Sequence, residues 1–67
     1  MKMVPVKSSE IKAVGYNPET GLMKITFIQG YTYDFCGVPP HIYEGLLNVR
    51  SKVTYYNYYI RDRYKCN

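Results

Sequence analysis

Met23-Lys24-Ile25-Thr26-Phe27-Ile28-Gln29-Gly30-Tyr31-Thr32-Tyr33-Asp34-Phe35 decides the fold. Met23, Ile25 and Phe27 alternate with Lys24 and Thr26, and Tyr31, Tyr33 and Phe35 alternate with Thr32 and Asp34. A period of two places one set on each side of a pleated strand, so the stretch reads as two half-buried strands, 22–28 and 31–36. Gln29-Gly30 between them is a tight turn, with a glycine free to take positive φ. Two residues cannot carry a parallel crossover, so the pair is antiparallel.

Working outward, Asn17-Pro18-Glu19-Thr20-Gly21 has the composition of a hairpin loop and places another strand over 9–16. Gly15 inside that strand marks a bulge or a close backbone approach. Residues 1–7, with Pro5, read as a lead-in. Towards the C-terminus the period changes. Gly37-Val38-Pro39-Pro40 ends the sheet, and proline at a first helical position starts a helix near 39 or 40. Ile42, Leu46 and Val49 recur at helical spacing. Ser51 is an N-cap for a second helix running to about Tyr64. At about 100° per residue, Val53, Tyr56, Asn57, Ile60 and Tyr64 form a core stripe. Tyr55, Tyr58, Asp62 and Lys65 lie opposite, with Lys52, Tyr59, Arg61 and Arg63 on the edges. The β-branched and aromatic content of 53–60 also admits a further strand. The expected architecture is α+β: a three-stranded antiparallel meander with two C-terminal helices on one face, forming one domain over 1–67. Phe27 and Ile60, each central in its stripe, should meet across that interface.

So short a chain buries little surface and has a thin core. Nine tyrosines compensate, since each buries ring area while its hydroxyl reaches water or a backbone partner. No run approaches the roughly 20 apolar residues of a membrane span, and the first residues lack a signal-peptide core. The expectation is a cytoplasmic chain with Cys36 and Cys66 as free thiols.

Chemistry beyond binding finds little footing. His41, the one histidine, follows two prolines and has no partner in view to orient it as a base or ligand. Glu10, Glu19, Asp34 and Glu44 are scattered, and Cys36, His41 and Cys66 match no zinc spacing. No glycine-rich phosphate loop is present. The expectation is a domain without catalytic residues, metal or cofactor.

The net charge of +4 is unevenly placed. Through residue 49, four lysines balance four acids. From residue 50 onward Arg50, Lys52, Arg61, Arg63 and Lys65 face Asp62 alone. Cations interleaved with Tyr55 and Tyr58 are what phosphates and unstacked bases need. The same pattern also describes a helix that only solvates the domain. Tyr31 and Tyr33 have two readings: core, if the helices cover their end of the sheet, or an open stacking platform if they do not. RNA or single-stranded nucleic acid is therefore the first expected ligand, with Arg50, Lys52, Tyr55, Tyr58, Arg61, Arg63 and Lys65 in contact. A larger protein partner is the alternative, because Tyr and Arg are also enriched at protein interfaces.

Several stretches, in order, resemble the KTSC domain, a family named for the C-terminus of some lysyl-tRNA synthetases. They are Pro5-Val6-Lys7-Ser8-Ser9-Glu10-Ile11, Val14-Gly15-Tyr16, Phe27 to Gly30 with Tyr31-Thr32-Tyr33, Gly37-Val38-Pro39, Tyr43 with Leu46-Leu47, Ser51-Lys52, Tyr55-Tyr56-Asn57, Ile60-Arg61 and Tyr64. The resemblance implies a single autonomous domain and, through the synthetase appendage, a place near tRNA. Where the family carries glycine after Ser-Lys, this chain has Val53, which implies a second helix extended towards its N-terminus.

Overall fold

The computed structural model describes residues 1–66. Four strands form one antiparallel sheet in sequence order: β1 (Val4–Pro5), β2 (Ile11–Asn17), β3 (Leu22–Phe27) and β4 (Thr32–Phe35). The meander therefore has one strand more than expected. Val4 pairs with Val14 and Pro5 with Ala13, so the lead-in folds back onto β2. Two residues, one a proline without an N–H, leave no alternation to read. They also make a poor template for further pairing.

The turns follow their residues. Asn17 accepts the Glu19 N–H on its side-chain oxygen at 2.9 Å and the Gly21 N–H on its carbonyl at 2.8 Å. Gly30 takes φ 110° between β3 and β4, in a turn that closes from Phe27 to Tyr31 and is therefore longer than the two residues expected. Gly15 is a close approach: a Cβ there would stand 2.6 Å from the Met3 sulfur, so the N-terminal segment crosses over bare backbone. The bulge lies elsewhere in β2, between Ile11 and Ala13.

The register of β3 and β4 carries the alternation across the sheet. Met23 stands opposite Phe35 and Ile25 opposite Tyr33, all on one face. On the other face Lys24 and Asp34 form an ion pair at 2.9 Å, and the Thr26 and Thr32 hydroxyls lie 2.9 Å apart. The apolar face is covered by two helices. α1 (Pro40–Asn48) begins with proline at its first position, as read from the sequence. α2 (Lys52–Tyr55) is a single α turn that widens into a π turn over Tyr56–Ile60. Ile11, Val14, Met23, Ile25, Phe35, Val38, Ile42, Leu46 and Ile60 form the buried core. Ile60 is fully buried, whereas Phe27 is only half-buried and packs edge-on to Tyr56, with ring centroids 5.4 Å apart.

The second helix ends at Ile60, not near Tyr64. Arg61 is extended at φ −56°, ψ 129°, and Asp62 takes the left-handed φ of 64°. The chain there reverses and runs back along β4, where Phe35 bridges Lys65 and the Cys36 N–H bonds the Tyr64 carbonyl at 2.8 Å. That return brings Cys36 and Cys66 to a Cα separation of 5.0 Å, and they are disulfide-bonded. The expectation of two free thiols, drawn from the cytoplasmic reading, is corrected. No helix among the described residues is long and apolar enough to cross a membrane.

Candidate nucleic-acid interface

β4 is the last strand of a meander, so one of its edges faces away from the sheet. On the apolar face of β4, Phe35 is buried against Tyr56 of the second helix, but the cover does not extend to the other end of the strand. Tyr31 and Tyr33 are consequently exposed, 58% and 51%, although Tyr33 shares its face with Ile25 and Phe35. Of the two readings open for this pair, the core placement is corrected in favour of the open platform. The rings are near-parallel, with centroids 6.3 Å apart and planes 29° apart. Tyr33 also meets Phe27 edge-on at 5.6 Å, and Phe27 meets Tyr56, which meets Phe35 at 5.8 Å. The platform is thus the exposed end of an aromatic chain rooted in the core, which holds its rings in place.

Two shallow clefts share Tyr33. One, of about 310 Å³, lies where the C-terminal segment returns along β4 and is lined by Tyr56, Arg61, Asp62 and Lys65 among others. The other, of about 410 Å³, lies between Ser9-Glu10 and the β3–β4 turn and includes Phe27, Gln29 and Tyr31. Burial raises the Tyr56 hydroxyl above the usual tyrosine range, against the pull of Arg61 and with smaller contributions from Tyr33 and Asp62. Those four groups therefore sit within one electrostatic neighbourhood.

The residues expected to contact nucleic acid divide sharply. Lys52 is half-buried and donates to the carbonyls of Leu47 at 3.3 Å and Val49 at 2.7 Å. It closes the C-terminal end of α1, where a cation meets unpaired carbonyls. Tyr55 is half-buried between the helices. Its hydroxyl donates to the Ile42 carbonyl at 3.1 Å, and its ring lies 4.7 Å from that of Tyr59. Burial, then the neighbouring Tyr59 and Tyr64 hydroxyls, push its own hydroxyl upward. Both Lys52 and Tyr55 are engaged in holding the helix pair together. Arg50, Tyr58, Arg61, Arg63 and Lys65 are exposed. Asp62 lies between Arg61 at 3.9 Å and Lys65 at 3.8 Å, and Arg63 donates to the Tyr58 carbonyl at 3.3 Å. The single Tyr-plus-cation stripe does not exist as such: the π turn alters the helical phase, and Arg61 onward is not helix.

Sequence reasoning missed Tyr56, Glu10 and Gln29 as members of the site. Tyr56 was assigned to the core stripe, and its half-burial honours that while its ring still reaches the cleft. One available signal was topological, since the third strand of a meander followed by helices is an edge, and a Tyr-x-Tyr on an edge has an open side.

A two-layer α+β domain with a covered sheet face and an exposed aromatic edge is the class that this geometry defines. The sequence pattern of the KTSC domain matches residues 7–64, and the chain belongs to that family. A crystal structure of a KTSC domain protein from Yersinia pestis superposes with a TM-score of 0.90 at 31% identity, covering 98% of this chain and 93% of that one. A protein of Tsukamurella paurometabola is 35% identical over 63 residues, 94% of each chain. A lysine–tRNA ligase of Nostoc punctiforme is 34% identical over 59 residues, which are 88% of this chain and 10% of the ligase.

Proposed function

We propose that the domain is a small non-catalytic module that binds RNA or other single-stranded nucleic acid across the open end of β4. The observation that carries this reading is the Tyr31–Tyr33 pair, near-parallel, half-exposed and anchored through Phe27. Successive unstacked bases pack on such faces without needing a particular sequence. Arg61 and Lys65 lie beside Asp34 and Asp62 in the adjoining cleft, where they would meet the phosphates, and Arg50 and Arg63 add two further exposed cations. The likeness to one segment of a lysine–tRNA ligase supports the reading, because a weak appended module gains affinity from tethering.

Fluorescence anisotropy with a labelled single-stranded RNA at low and physiological salt tests it. Tyr33→Ala should weaken binding by about 1–3 kcal/mol with little change in salt slope. No binding of the unmodified protein at low salt would end the reading. A second reading, a protein-interaction face, is favoured by Tyr58 and Tyr59, which are 69% and 51% exposed and line neither cleft. A partner captured by the unmodified protein and lost on Tyr58→Ala would support it.

A further inference from the structure

The two clefts beside Tyr33 differ in their charged lining. In one, Arg61 and Lys65 stand beside Asp34 and Asp62, so cations and carboxylates balance. In the other, Glu10 is the one carboxylate, beside the uncharged polar groups of Ser9 and Gln29 and the rings of Phe27 and Tyr31. A phosphate is repelled there, whereas the hydrogen-bonding edge of a base is not. The backbone beneath the cleft is held by hydrogen bonds. The Ile28 N–H donates to the Glu10 carbonyl at 2.8 Å, tying the β3–β4 turn to residue 10, and the Glu10 N–H donates to the Ser8 hydroxyl at 3.2 Å. Among the described residues Glu10 enters no ion pair, so its carboxylate is not already engaged by a cation.

We propose that the Glu10 cleft is a base-reading pocket selective for guanine, an inference that rests on the nucleic-acid reading above. An ionised carboxylate only accepts hydrogen bonds. Guanine presents two adjacent donors, N1–H and the N2 amino group, on its Watson–Crick edge, and can bond both carboxylate oxygens. Adenine and cytosine set one amino donor beside a ring-nitrogen acceptor, and uracil flanks its N3–H with carbonyls, so each turns an acceptor towards the carboxylate. The Gln29 amide can supply the donor that guanine O6 requires. Tyr31 offers the stacking face, and Tyr33, common to both clefts, is where the chain of nucleotides passes from base pocket to cations. The cleft volume of about 410 Å³ is in the range of small-molecule sites.

The test uses short labelled oligouridines with one central guanine, inosine, adenine or cytosine, against plain oligouridine. Guanine should bind about 5- to 100-fold more tightly than the other bases. Inosine, which lacks the N2 amino group, should lose most of that advantage. In Glu10→Gln the guanine oligonucleotide should fall to the level of plain oligouridine measured on the same variant. Equal binding of all the oligonucleotides, or a guanine preference that survives Glu10→Gln, overturns the pocket and leaves the nucleic-acid reading intact. Binding of none of them overturns both.

Discussion

The hydroxyl of Tyr55 fills the space over Gly45 in which the Cβ of any larger residue would stand, and donates from there to the Ile42 carbonyl. Glycine inside a helix ordinarily costs about 1 kcal/mol relative to alanine. Here it is what lets the second helix lie against α1. Gly45→Ala should therefore destabilise the domain by about 1–3 kcal/mol, against its propensity gain, because a packed ring must move. Urea denaturation measures the change. Combined with Tyr55→Ala, the same substitution should cost far less than in the parent, since the obstacle is gone. A stabilised Gly45→Ala protein would mean that the helices do not pack through this contact.

The Cys36–Cys66 bond fastens the return segment to the end of β4 across a sequence separation of 30. By loop-closure entropy, a crosslink over that span stabilises by roughly 3–4 kcal/mol. Thiol titration of the denatured, non-reduced protein should find no free thiol. Cys66→Ser should lower the stability by an amount of that order, a large share of the total for so small a domain. Two titratable thiols in the non-reduced protein would contradict the bond.

Lys52 and Arg61 carry the same charge and should behave in opposite ways. Lys52→Ala removes the bonds to the Leu47 and Val49 carbonyls at the C-terminal end of α1 and should cost about 1–3 kcal/mol of stability. It should leave the salt dependence of RNA binding nearly unchanged once folding is allowed for. Arg61→Ala should be nearly silent for stability, since the side chain is exposed and its contact with Asp62 is 3.9 Å long. It should flatten the salt slope by about one unit. Thermal melts and anisotropy titrations on both variants separate the two roles.

Tyr43, Tyr55 and Tyr56 titrate above the ordinary tyrosine range, each chiefly because burial disfavours the phenolate. A raised folded-state pKa means that above pH 10 the unfolded chain holds fewer protons than the folded one. Stability is thus fully present below about pH 10 and falls as pH rises through the folded-state values. Denaturation midpoints measured from pH 8 to 12 should decline only in the upper part of that range. Tyr43→Phe should blunt the decline. A midpoint independent of pH over the whole range would contradict the burial of these hydroxyls.

The sequence by itself determined the elements whose signal is local. The alternation of 22–35, the Asn17–Gly21 loop and the proline that opens α1 are all readable because strand period and turn chemistry depend on near neighbours. The same alternation placed Lys24 and Asp34 on the polar side of their strands, and the register then paired them. The tertiary structure decided everything that depends on where one element stops over another. Tyr31 and Tyr33 have the same alternation as Met23 and Ile25, yet they stay exposed while Met23 and Ile25 are fully buried. The second helix ends at Ile60 because the chain must turn to pair with β4, and that turn also joins Cys36 to Cys66. Lys52 and Tyr55 sit in a stretch that reads as a cationic, aromatic surface, but the packing of two helices turns both inward onto carbonyls of α1 and its C-terminal end. A side chain's periodicity names its face. Whether that face is covered is set by the length and crossing of a partner element far away in the chain, and no local pattern encodes it.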